Sequence, residues 1–183
     1  MTGARAWRPD PTNRVSGDPA AIELGRRLFF DARLSGKGTH SCSSCHRPES
    51  AWSDNRKTAR GLAVSKRNTP SLFDVRHARW FGWDGAGDSL WAQSIRPILD
   101  PREMGATAAH VQAHIAADAS LTEHYQRLFA RSPSSSDAED VLVDAAKTLA
   151  AYQETMVSER TPFDAFRDRL ASGDVAPDDP YPM

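Results

Sequence analysis

The sequence predicts a mainly α domain with long loops between its helices, and three observations carry that reading. Apolar residues recur three and four apart behind recognisable cap residues. No stretch makes a convincing strand. The 12 Pro and 11 Gly suggest ordered loops between the periodic segments. A chain of 183 residues is long enough for one domain with a real core.

Residues 1–17 are polar, carry Pro, Gly and Asn, and read as an extended lead-in. Asp18-Pro19 then supplies an N-cap followed by Pro at the first helical position. In "AAIELGRRLFF", Ile22, Gly25 and Phe29 share a face, with Ala21, Leu24 and Leu28 beside it. From Asp31 to Thr58 a loop is expected, broken by one short turn around the two cysteines. The segment "RGLAVSKRNTPSLFDV" predicts a loop that enters a helix capped by Thr69, with Pro70 first. "GDSLWAQSI" predicts a helix capped by Asp88 and stopped near Pro97. "TAAHVQAHIAA" is a short helix with Val111 and Ile115 inward. Ser120 with Glu123, and Ser136 with Glu139, have capping-box spacing at the heads of two more helices. Along the second, Val141, Leu142, Ala145, Leu149 and Tyr152 keep helical spacing. A last helix is expected from Thr161-Pro162 to Gly173, and residues 174–183 trail off as a tail. The domain proper is therefore 18–173, with no internal repeat.

Both cysteines of the chain lie in "SCSSCHRPESAW", where Cys42 and Cys45 are followed directly by His46. Four chemistries compete for this pattern. Structural zinc needs four ligands, and no second Cys or His cluster follows at ligand spacing; His110 and His114 would make a helical pair, but such pairs usually face solvent. A thioredoxin-like redox pair wants a strand–turn–helix setting that is missing here. A disulfide across two residues closes too small a loop to stabilise much. Covalent haem c employs all three side chains: two thioether anchors at Cys42 and Cys45, and His46 swung onto the iron from the same turn. That reading is favoured.

Bulk properties exclude other classes. The net charge is −1 with mixed signs, so there is no footprint for nucleic acid. No apolar run approaches a membrane span. Covalent haem is normally attached outside the cytoplasm, which predicts a periplasmic or secreted protein. Residues 1–18 nevertheless show no apolar signal core, so a secretion segment missing from this chain, or a misplaced start, is expected.

The flanks of the haem motif say more. "ELGRRLFFDARLSGKGTHSCSSCH", "RNTPSL" and "GWDGAGDSLWAQSIRPILDPREMG", in that order and spacing, resemble the N-terminal half of bacterial di-haem cytochrome c peroxidases. That family includes the enzymes that finish the tryptophylquinone cofactor of methylamine dehydrogenase. The resemblance covers residue 21 to about residue 170. It implies a cytochrome-c-like helical domain around one covalent haem, the peroxidatic haem, with His46 as its proximal ligand. It places the residue between the two haems at Trp83, a distal-pocket amide at Gln93, a pocket proline at Pro97 and the acid–base group at Glu103. It places an Asn that helps to hold an interdomain calcium ion at Asn68.

Cleaving the O–O bond of hydrogen peroxide needs an open iron site and a group that moves a proton from the near oxygen to the far one. A carboxylate in an apolar pocket suits that task because burial raises its pKa toward working pH. Gln93 could orient peroxide or its water. A solvated loop carboxylate beside Arg102 is the bland alternative for Glu103. Met104 is expected to pack under the pocket, and spacing does not single out Arg33 or Arg67 as partners of the haem propionates.

Two departures from the pattern matter. The resemblance places the distal His of classical members at Leu62, which predicts an open or water-bound sixth site unless His40 or His77 reaches the iron. There is also no second C-x-x-C-H, so the electron-transfer haem of relatives is expected to be missing or supplied by another chain. The expected function is a peroxidase drawing electrons from a small redox protein such as a cytochrome c or a cupredoxin. Rival readings are a mono-haem electron carrier, an oxidase of partner-protein side chains, and an inactive fragment. A homodimer would be unsurprising.

Overall fold

The computed structural model describes residues 7–174, so the start of the lead-in and all but the first residue of the C-terminal tail lie outside the described residues. The helices are α1 (Pro19–Phe30), α2 (Cys42–Cys45), α3 (Leu90–Leu99), α4 (Ala108–Ala117), α5 (Ala119–Phe129), α6 (Ala138–Gln153) and α7 (Pro162–Ser172). Short 3-10 turns occupy Ala32–Leu34, Pro48–Ser50, Val75–His77 and Pro133–Ser135. Among the described residues there is no strand, only isolated bridges at Arg47–Ser53, Arg60–Val64 and Phe81–Gly87. The protein is mainly α, as the sequence predicts.

Helix α6 is the central element, with α1, α3 and α4 packed against it. Its inner surface carries Val141, Leu142, Ala145, Ala146, Leu149, Ala150 and Ala151, all buried. Small side chains on that surface let neighbouring helices come close. Closest is α1 at Gly25, where a Cβ would lie 1.9 Å from the Thr148 carbonyl oxygen, so no larger residue fits without separating the helices. Leu24, Leu28, Leu142 and Leu149 are each no more than 1% exposed, and burying such a side chain contributes about 1.5–3 kcal/mol. Residues 10–17 form turns on this core rather than an extended lead-in. Asn13 donates its amide to the Lys147 carbonyl (3.0 Å) and Val15 is buried.

The Asp18 cap of α1 forms as expected, its carboxylate accepting from the Ala20 N–H at 2.8 Å. So do the Thr107 cap of α4 and the stop of α7 at Gly173. Three caps shift. Ser89, not Asp88, caps α3 by accepting from the Ala92 N–H. Asp118 caps α5 and Asp137 caps α6. In both, a neighbouring carboxylate takes the free N–H groups: Asp118 lies two residues before Ser120, and Asp137 one residue after Ser136. Ser120 is left inside α5, where its hydroxyl accepts from Arg27 (2.7 Å), and the Ser136 hydroxyl donates to the Ser132 carbonyl (2.7 Å).

The helix expected from Thr69-Pro70 does not form. The Thr69 carbonyl accepts from the Ser53 hydroxyl (2.9 Å), and the Ser71 hydroxyl donates to the Ala51 carbonyl (2.6 Å) while accepting from the Phe73 N–H. Asp74 then takes a left-handed φ of 56°. The groups that would have opened a helical ladder are used instead to tie residues 69–73 to the loop behind the haem motif. Helix α3 does stop near Pro97, two residues beyond it. Pro97 lies inside the last turn, at the cost of the N–H that would have met the Gln93 carbonyl, and the helix ends at Leu99 with Asp100 as its C-cap.

Candidate functional site

Helix α2 is a single turn between two tightened loops. The Ser35 hydroxyl gathers the Thr39 and His40 N–H groups (both 3.1 Å), and the Ser44 hydroxyl accepts from the Ser41 N–H (3.0 Å). On this turn Cys42 and Cys45 are both free thiols. Burial pushes the Cys42 thiol up to about 12; it also raises Cys45, with the negative charges of Asp54 and Glu103 adding to the effect. Both therefore stay protonated at neutral pH.

His46 follows, its N–H bonded to the Cys42 carbonyl at 2.9 Å. Its Nδ1 lies 2.9 Å from the Trp52 carbonyl oxygen. A carbonyl can only accept, so Nδ1 carries the proton and Nε2 keeps a lone pair. Burial lowers the pKa of this imidazole and favours the neutral form. A neutral ring with one nitrogen fixed by a backbone acceptor is what an axial metal ligand requires. The acceptor is held under strain, because Ala51 and Trp52 both take left-handed φ values of 54° and 57°. Trp52 packs edge-on to Phe29 (5.9 Å) and Tyr152 (6.4 Å), and Phe29 lies 6.5 Å from the His46 ring.

A second wall is built from residues 97–106. The chain turns back after α3, with the Met104 N–H on the Pro97 carbonyl (3.1 Å) and the Ala106 N–H on the Ile98 carbonyl (2.9 Å). This loop is clamped from two sides. Gly36, ahead of the haem motif, donates to the Met104 carbonyl (2.9 Å). Leu62 and Ala63, behind it, donate to the carbonyls of Glu103 (3.1 Å) and Arg102 (2.8 Å). The approach at Gly61 is close enough that a Cβ there would meet the Glu103 Cα at 2.7 Å. Leu62 and Glu103 therefore stand side by side.

The Glu103 carboxyl has no hydrogen bond or ion pair among the described residues. Arg102 turns away from it to Asp100, with Nε at 3.3 Å and Nη2 at 3.1 Å. Glu103 as a whole is exposed, yet the atoms around its carboxyl raise its pKa by desolvation. Asp100 raises it further, against the opposing pull of Arg102 and Arg96. Arg96 also joins Gln93 to this group, since its Nη1 donates to the Gln93 Oε1 (3.1 Å) and pairs with Asp84 (3.3 Å). The structure thus links Gln93, Pro97 and Glu103 through Arg96 and the turn that follows α3.

Trp83 and Asn68 form a second group. The indole Nε1 of Trp83 donates to the Asn68 carbonyl at 2.8 Å, while the residue remains 57% exposed. The Asn68 side chain is exposed, and its Nδ2 lies 3.5 Å from the Thr69 carbonyl. Among the described residues no group of three or more His, Cys, Asp or Glu could hold a metal ion. The remaining histidines each have a ring nitrogen engaged, His40 by Thr39, His77 by Arg76, His110 by the Arg33 carbonyl, His114 by Asp31 and His124 by the Ser120 carbonyl. Met104 packs in the hydrophobic core.

Sequence reasoning missed three supports: Trp52 as the acceptor for His46, Asp100 as the partner that removes Arg102, and Arg96 between Gln93 and Glu103. Only Trp52 left a signal, as the aromatic residue six positions after His46.

Two free thiols on one turn and an imidazole with Nε2 uncommitted fit a haem held by thioethers and one axial His. Comparisons with known proteins agree. Residues 19–172 match the family model for di-haem cytochrome c peroxidases. The methylamine utilization protein MauG of Methylorubrum extorquens is 36% identical over 176 residues, 93% of this chain and 47% of that protein. The cytochrome c551 peroxidase of Pseudomonas aeruginosa is 31% identical over 166 residues, 86% of this chain and 46% of that protein. The chain thus spans about half the length of these relatives. Among solved structures, a MauG-like protein associated with microbial copper homeostasis superposes with a TM-score of 0.73 at 30% identity, over 96% of this chain and 51% of that one. The diheme peroxidase BthA of Burkholderia thailandensis gives 0.72 at 28% identity, over 87% and 43%. With the fold, the haem-attachment turn and nearly its whole length matched, the chain belongs to the di-haem cytochrome c peroxidase family.

Proposed function

We propose that residues 18–173 form a peroxidatic c-type haem domain that reduces hydrogen peroxide to water in the periplasm. Cys42 and Cys45 would anchor one haem and His46 would hold its iron. Bound there, haem c supplies a redox-active iron at which the O–O bond is reduced, with two electrons and two protons turning one peroxide into two waters. The residues of this chain manage geometry and protons. The Trp52 carbonyl fixes the His46 tautomer, so Nε2 would be the atom offered to the iron. On the other wall Glu103 takes the proton from the peroxide oxygen nearer the iron and returns it to the departing oxygen. Gln93 offers an amide to orient peroxide or its water, and Pro97 shapes the turn that presents Glu103. Trp83 provides an exposed, oxidisable ring, and the donor is a small redox protein or a second haem module. The Asn68 side-chain oxygen contributes at most one of the several oxygens that calcium would need.

The observation that carries this reading is the isolation of Glu103. Its natural cation, Arg102, is held by Asp100, so the carboxyl stays unpaired with its pKa raised, as an acid–base group should be. Leu62, beside it, has no atom that could ligate iron, so it would not fill a haem's sixth position. Peroxide consumption by the haem-loaded protein, supplied with an uncharged small reductant, tests the proposal. Two reducing equivalents oxidised per peroxide, at a rate well above that of free haem, is the expected result. Consumption no faster than free haem would overturn it.

A further inference from the structure

Five cations, Arg56, Lys57, Arg60, Lys66 and Arg67, fall within twelve positions, and no Asp or Glu occurs anywhere from 55 to 73. In a chain of net charge −1 this is a concentrated positive patch. The fold gathers it further. Ala59 donates to the Arg67 carbonyl (2.8 Å) and Ser65 to the Ala59 carbonyl (2.9 Å), so the two limbs of the loop lie against each other. All five residues are exposed, and Arg56, Lys57, Thr58 and Arg60 line a cleft of about 390 Å³.

Many arginines elsewhere are ion-paired: Arg26 holds Glu23, Arg96 holds Asp84, Arg102 holds Asp100 and Arg131 holds Asp144. The five cations of the loop make no ion pair among the described residues. The nearest carboxylate in sequence, Asp54, is buried and accepts from the Arg56 backbone N–H. Glu103 lies behind the loop, against its backbone. The patch is therefore a set of donors that this chain leaves without carboxylates.

Its position gives it a use. The Cys45 thiol donates to the Arg60 carbonyl at 3.8 Å, so the loop begins at one of the two sulfurs that attach the haem. We propose that the 56–67 loop is the docking surface for an acidic redox protein, which delivers electrons directly at the Cys45 edge of this haem. One electron passes per encounter, the partner's centre being oxidised by one equivalent and the ferric haem reduced by one. Opposite charge on the partner steers the encounter, and clefts of one sign raise such on-rates by about 10–10³. The inference rests on the haem-attachment part of the proposed function and does not need its peroxide chemistry.

The test follows reduction of the ferric haem-loaded protein in the absence of peroxide, by rapid mixing with a reduced acidic plant-type ferredoxin or with an uncharged hydroquinone. The triple variant R56Q/K57Q/R60Q keeps long polar side chains on an exposed loop and breaks no ion pair. The expected result is a rate with ferredoxin that drops about tenfold or more in the variant at low salt. Its salt dependence should flatten, while the rate with hydroquinone is unchanged. Equal rates with ferredoxin for the two proteins at every salt concentration would overturn the proposal. So would an equal fall with both reductants, which would mean that the cations tune the haem, for example through its propionates. A failure of peroxide turnover leaves these readouts standing, so the two proposals can fail separately.

Discussion

Replacing Glu103 with Gln removes one titratable oxygen and changes little else. The carboxyl makes no hydrogen bond or ion pair among the described residues, and the clamp that places it is built from main-chain groups, Leu62 N–H on the Glu103 carbonyl and Glu103 N–H on the Asp100 carbonyl. The side chain is exposed, so the substitution should move stability by no more than about 0.5 kcal/mol. The effect on chemistry should be far larger. A positioned acid–base group contributes about 10²–10⁴-fold, or about 2.7–5.4 kcal/mol of barrier at about 1.36 kcal/mol per decade. Rapid mixing of the ferric protein with excess peroxide measures this directly as the second-order rate. The pH dependence carries a second signature. Desolvation raises the Glu103 pKa, so the proton-accepting form appears only as pH rises through that raised value, and the wild-type rate should climb from the acid side. E103Q should be slow and flat. The linkage sign agrees: with its folded pKa above the unfolded one, Glu103 contributes stability below the unfolded pKa and loses it as pH rises through the folded value. An E103Q rate within threefold of wild type, with the same acid limb, would refute the reasoning.

Asp100→Asn should release Arg102 toward Glu103 and delete a negative neighbour. Both effects lower the Glu103 pKa, so the acid limb of the rate profile should move to lower pH; an unmoved limb would show that Arg102 does not reach Glu103. Gly25→Ala forces a methyl against the Thr148 carbonyl where α1 crosses α6. It should cost about 1–3 kcal/mol or more, read as a lower midpoint in urea unfolding.

The helices were legible where a cap, a period and a stop agreed. Asp18-Pro19 with the Leu24, Leu28 and Phe29 face gave α1, and Thr161-Pro162 with Gly173 gave α7. Ser120 and Ser136 misled because capping strength was read from the box spacing, while Asp118, two residues before the first, and Asp137, directly after the second, offered stronger acceptors. The Thr69-Pro70 helix failed for a long-range reason. Its first carbonyl and its Ser71 hydroxyl were taken by Ser53 and Ala51, residues that a local reading cannot bring into contact. Cys42, Cys45 and His46 were legible because attachment and ligation must come from adjacent residues on one turn. Glu103 was legible only through the family resemblance. Its isolation depends on Asp100 holding Arg102, and its location on a clamp from Gly36, Leu62 and Ala63. Neither has a sequence period.

The central claim is that peroxide meets an iron whose sixth position is open, with Leu62 beside it in place of a ligand and Glu103 ready to move protons. The optical and spin-resonance spectra of the haem-loaded ferric protein, recorded as isolated and before any reductant, test this most directly. The account predicts a high-spin ferric signal from an iron held by His46 alone or by His46 and water. A purely low-spin signal would mean two strong axial ligands, and would contradict it in favour of an electron carrier.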